Sequence, residues 1–258
     1  MDRRLWPAIG GTLAAIAVTT TMDASGYTMF SALPLFPLAG LFWFLQKFSR
    51  PEVGLIWGEV NCYGLALAYP IFVLGATASV AFAFGAVDTS AADWSKTLAN
   101  IGLISSTGIL MGLITEEGFF RGWLWAALKR TGQSDIKVLI GSTLAFTAWH
   151  ISAITLDTGF DIPANEVPIY LINATLIGGV FGVIRLMSGS VIASSLCHAV
   201  WNGLDYPLYG FGEEVGALGI QQTHIFGPEV GILGIGLNLA FFAWIWRKYA
   251  TRASEISP

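Results

Sequence analysis

Apolar residues along this chain fall in runs rather than in alternating or one-faced patterns, and the runs reach the roughly 20 residues that a helix needs to cross a hydrocarbon layer. Such runs predict helices near residues 5–22, 28–47, 60–87, 97–130, 136–156, 167–186, 189–209 and 228–247. Short loops join them, with neither an internal repeat nor a low-complexity stretch. The expected fold is all-α: a single polytopic membrane domain over residues 1–258, a bundle of about eight transmembrane helices.

Two runs need separate comment. Met1-Asp2-Arg3-Arg4 before an apolar run resembles a secretory leader, but the exit through Thr20 to Ser25 lacks a small-x-small cleavage site, so an uncleaved first helix is expected. The fourth run would make a helix of roughly 34 residues, ~50 Å long, against a hydrocarbon core of ~30 Å. It must tilt, bend at Gly112 or Gly118, or continue into the cytoplasm before Lys129. The stretch from Asp205 to Pro228, with His224, is expected at the outer surface.

Charge tests this count. With an inside N-terminus, the inside segments hold Arg3, Arg4, Lys47, Arg50, Lys129, Arg130, Lys137, Arg185, Arg247, Lys248 and Arg252, which is eleven of the thirteen basic residues. Only Lys96 falls outside, and Arg121 lies within a helix. Asp23, Asp88, Asp93, Asp157, Asp161, Glu166, Glu213 and Glu214 fall outside. Both termini are therefore expected in the cytoplasm; seven or nine passes would mix the charges. At 54% hydrophobic and 12% charged residues the chain has half the charge of a soluble domain. No basic cluster suggests nucleic acid. Cys62 and Cys197 sit in apolar runs and are expected to be buried thiols.

Against this background three segments stand out: Glu116-Glu117-Gly-Phe-Phe-Arg121, Phe146-Thr-Ala-Trp-His150 and His198-Ala-Val-Trp-Asn202. Ionisable groups inside a membrane are costly and usually serve a site. Glu117 and Arg121, four apart, share a helix face and can pair; Glu116 is rotated by about 100° and left free. His198 and Asn202 share another face. At 1.5 Å per residue from the expected cytoplasmic ends, Glu116 lies ~21 Å, His150 ~20 Å and His198 ~15 Å along their helices, so the three can share a layer. Trp123, Trp125, Trp149 and Trp201 are expected to pack or face lipid, and His224 to be structural.

A carboxylate and two imidazoles support two chemistries. In one, Glu116 with His150 takes a proton from a water that attacks a peptide carbonyl, and His198 and Asn202 hydrogen-bond the oxyanion. No cofactor is needed. In the other, Glu116, His150 and His198 hold zinc with one position open to water.

The ordered set Glu116-Glu117-x-x-x-Arg121, Phe146-x-x-x-His150 and His198-x-x-x-Asn202 resembles the CPBP (CAAX protease and bacteriocin-processing, or Abi) family of intramembrane proteases, whose eukaryotic relatives are type II CAAX prenyl endopeptidases. The motif-bearing core covers about residues 100–205. The resemblance implies eight helices around a conical cavity open to the cytoplasm and the bilayer. It implies cleavage of a C-terminal tripeptide after a prenylated cysteine, with membrane lipid and a peptide or prenylated protein as partners, and in a prokaryote the plasma membrane as location. It passes water activation to Glu116 assisted by His150, the oxyanion role to His198 and Asn202, and a structural or substrate-orienting role to Glu117 and Arg121. Both a metallo- and a glutamate-based mechanism are proposed for the family.

The expected function is an intramembrane endopeptidase acting near the C-terminus of a membrane-anchored substrate. A non-enzymatic bacteriocin-immunity protein is the first alternative. A small transporter with a Glu/His proton relay is the second, and the lack of a repeat counts against it.

Overall fold

The computed structural model describes residues 3–212 and 214–256. Met1, Asp2 and the expected outer Glu213 lie outside the described residues. The chain is helical apart from one small hairpin: α1 Trp6–Ala24, α2 Leu35–Gln46, α3 Asn61–Ala83, α4 Trp94–Ile114, a π-helical segment Gly118–Leu124, α5 Trp125–Arg130, α6 Asp135–Trp149, α7 Ile151–Thr155, α8 Val167–Ser188 and α9 Val191–Tyr209. The hairpin β1 Gly210–Phe211 and β2 Glu214–Val215, the short α10 Thr223–Phe226 and α11 Ile232–Ile256 complete it.

Each expected apolar run contains helix. Among the described residues, five helical stretches are long and apolar enough to cross a membrane: Thr28–Gln46, Asn61–Ala83, Trp94–Arg130, Asp135–Thr155 and Val167–Ser188. Polar content separates the others from these. α1 ends in three threonines and Asp23, α9 carries His198, Asn202 and Asp205, and α11 ends in Arg247, Lys248, Arg252 and Glu255.

The expected long fourth helix is not continuous. It breaks at Thr115 (φ −109°, ψ −100°), three residues from either glycine proposed as the bend, and resumes as the π-helical segment. Gly118 permits this: a Cβ there would lie 2.3 Å from the Leu113 carbonyl oxygen. Widened turns of this kind recur at functional sites, because they re-aim side chains without ending the helix.

Two apolar clusters flank the break. Tyr69 of α3, Phe181 of α8, Trp201 of α9 and Phe241 of α11 anchor one, with Tyr69 stacked on Trp201 at 5.1 Å. Phe119, Phe120 and Trp123 of the π-helical segment join Phe146 and Trp149 of α6 in the other. All four tryptophans singled out from the sequence are buried, so they pack inside rather than face lipid. Cys62 and Cys197 are free, buried thiols.

α4 and α9 pack closely because small residues meet between them. A Cβ on Gly108 would lie 3.2 Å from the Ala199 Cβ, and Ser195 donates to the Ile109 carbonyl at 2.7 Å. Close approach through small residues is the usual way for helices to associate without a hydrophobic driving force.

Contacts gather the loops at two ends. At one end Arg130 reaches Glu52 at 2.8 Å, Arg252 reaches Glu59 at 3.1 Å and Tyr249 reaches Asp135 at 2.6 Å. The Ser49 backbone N–H and hydroxyl hold the Glu52 carboxyl below its ordinary range. At the other end Asp88 donates its N–H to Leu218, Gln221 donates to Ala86, and Phe160 stacks on Phe211 at 4.7 Å. The first end is basic and the second acidic. Asp23 departs from the expected outer exposure: it is buried and accepts from Ser152 at 2.6 Å.

Candidate active site

Glu116 follows directly on the break at Thr115, so its side chain is aimed by the kink and not by the axis of α4. Its Oε2 lies 3.8 Å from His150 Nε2 and 3.9 Å from His198 Nε2. That oxygen is buried and makes no hydrogen bond among the described residues. A buried carboxylate oxygen left so costs about 1–3 kcal/mol, so it invites a functional explanation.

Both imidazoles are held from behind. His150 closes α6, and its Nδ1 lies 2.8 Å from the Phe146 carbonyl oxygen. A carbonyl can only accept, so Nδ1 carries the proton and Nε2 faces Glu116. His198 Nδ1 lies 3.2 Å from Glu117 Oε1, which accepts from it and leaves the His198 Nε2 also facing Glu116. Phe181 stacks on the His198 ring at 4.9 Å.

Glu117 and Arg121 are both 0% exposed and paired at 3.1 Å. Arg121 also donates to the Gly178 carbonyl at 2.8 Å and lies over the Phe146 ring at 4.1 Å. Gly178 makes room: a Cβ there would stand 2.9 Å from both Arg121 Nη2 and Phe146 Cδ1. The pair thus joins α8 to the π-helical segment and sets the His198 ring through Glu117.

Glu116, His150, His198 and Asn202 line one cavity of about 60 Å³. Glu116 and His150 also line a larger chamber of about 420 Å³ beside it. Tyr170, Tyr206 and Glu229 line both spaces and were missed in the sequence. Glu229 carried a signal, an acid at the head of an apolar run. The tyrosines carried none, since aromatics abound in every helix. The chamber is walled by Thr28, Phe160, Glu166, Gly212, Glu214 and Thr223, and so opens at the acidic end. His224 is exposed on α10 and lines neither space.

The zinc alternative needs three donors closing on one point. Among the described residues no group of three or more histidine, cysteine, aspartate or glutamate side chains is disposed to hold a metal ion.

Residues 98–204 match the family model described as Type II CAAX prenyl endopeptidase Rce1-like. The segment carries all three motifs, and its family is the one that the motifs resemble. No curated protein and no solved structure matches the chain significantly. The match covers residues 98–204 of the 258; the long apolar helices point to an integral membrane protein.

Proposed function

We propose that the chain is an intramembrane endopeptidase in which Glu116 activates a water for attack on a peptide carbonyl. The observation that carries this reading is the buried, unpartnered Glu116 Oε2 between two imidazole nitrogens at 3.8 and 3.9 Å. Those separations exceed a hydrogen bond and suit one bridging water. Glu116 takes the proton as the water oxygen bonds to the carbonyl carbon. His150, with its Nδ1 proton tied to Phe146, accepts from the same water at Nε2 and orients it. His198, doubly protonated between two carboxylates, donates from Nε2 to the oxyanion, and the Asn202 carboxamide supplies a second donor. Collapse breaks the C–N bond, and Glu116 returns its proton to the leaving amine. Glu117 and Arg121 position His198 and touch no reacting atom. The step needs no cofactor.

The substrate is a membrane-anchored peptide or protein, prenylated or otherwise anchored, cut near its C-terminus. The non-enzymatic immunity reading is not favoured, because it leaves the cost of the unpartnered Glu116 oxygen without a use.

We further propose eight membrane passes with the basic end, and both termini, in the cytoplasm. The chamber would then open on the opposite side, so a cytoplasmic opening and cytoplasmic termini exclude each other. The charge distribution supports the cytoplasmic termini. A cysteine placed at exposed Thr89 on the acidic end should react with a membrane-impermeant maleimide in intact cells, and one at Ser254 only after permeabilisation. The reverse pattern would restore the cytoplasmic opening.

A further inference from the structure

Between the catalytic cluster and the chamber mouth stand two further carboxyl groups with no part in the hydrolysis. Asp205 lies on α9 three residues beyond Asn202, on the same face and ~10 Å along the helix from His198. It is 3% exposed, and its Oδ1 is buried without a hydrogen-bond partner among the described residues. Glu229 approaches from the chain ahead of α11 and lines the cavity beside Glu116 as well as the chamber.

Glu229 is built in rather than loosely placed. Trp201 donates Nε1–H to its Oε1 at 2.7 Å. Its backbone carbonyl accepts from Asn173 at 2.9 Å, and Asn173 is tied through Asn238 to the buried Tyr69 hydroxyl. Both carboxyls line the chamber. Neither space has a lysine or arginine in its lining among the described residues, and the His198 ring in the smaller cavity already faces Glu116 and Glu117. Tyr170 and Tyr206 line the chamber with both carboxyls. Paired carboxylates with aromatic walls are the chemistry that holds an organic cation.

We propose that Asp205 and Glu229 form a subsite for the basic side chain of a substrate lysine or arginine within about three residues of the scissile bond, given ~3.3 Å per residue of extended chain. This rests on the hydrolase reading of the adjacent cluster. The subsite would also disfavour an acidic side chain at the same position.

The test measures binding apart from turnover, in the purified full chain carrying Glu116→Gln. The probes are a farnesylated C-terminal peptide with one lysine near the cysteine and its norleucine analogue, each with a free or acetylated N-terminus. The lysine peptide should bind about 10- to 100-fold tighter, and acetylation should not change the ratio. Asp205→Asn or Glu229→Gln should each bring the ratio to within about threefold. Glu229→Gln keeps an acceptor for Trp201, and a thermal melt checks both folds. Equal affinities, a preference surviving both substitutions, or one that follows the free N-terminus would overturn the subsite. Cleavage persisting in Glu116→Gln would instead sink Glu116 as the base, and no cleavage by wild type would sink the hydrolase reading; either leaves the binding result standing.

Discussion

Glu116 and Glu117 are chain neighbours with opposite surroundings, and the difference predicts opposite mutant behaviour. Glu117 accepts from Arg121 and His198, whereas the Glu116 oxygen between the imidazoles has no partner. Glu116→Gln should lower cleavage by about 10²–10⁴-fold while leaving the thermal midpoint near wild type. Glu117→Ala strands a fully buried guanidinium and should cost about 3–5 kcal/mol of stability, read as an earlier melt. A Glu117 variant that melts like wild type would remove its structural role. This division was legible in the sequence, because four-residue spacing to Arg121 selects Glu117 and leaves its neighbour free. Tyr170, Tyr206 and Asp205 were not legible as chamber residues, since what brings them together is tertiary packing and no local pattern.

The break at Thr115 is the element on which the site depends. Excess length in the fourth apolar run announced an irregularity, and Gly118 was one of two positions named for it. Neither glycine is the point of bending. Gly118 instead tolerates the Leu113 carbonyl at a distance that excludes a side chain. Gly118→Ala should therefore displace the turn bearing Glu116 and lower both stability and cleavage, with the kcat loss exceeding what the earlier melt explains. Wild-type kcat in that variant would show that the close approach does not aim Glu116. Helix existence was readable from apolar runs, but a π-helical turn leaves hydrophobicity unchanged and so cannot be read from it.

At the scale of the whole molecule, the separation of basic from acidic ends was visible in the loops, and the structure gathers the same loops at the same ends. Which end the chamber faces was not visible, since its walls come from loops scattered between Thr28 and Val230. Chelation also tests the molecule as a whole: if Glu116 acts as the base without metal, rigorous treatment with EDTA should leave cleavage unchanged. Loss of activity that zinc restores would favour the metallo-mechanism.

The most direct measurement is hydrolysis of a farnesylated C-terminal peptide by purified wild-type protein and by Glu116→Gln, each with and without chelator. Cleavage by wild type in both conditions, and none above background by Glu116→Gln in either, is the predicted result. Equal turnover by the two proteins would contradict the assignment of Glu116 as the base that activates water.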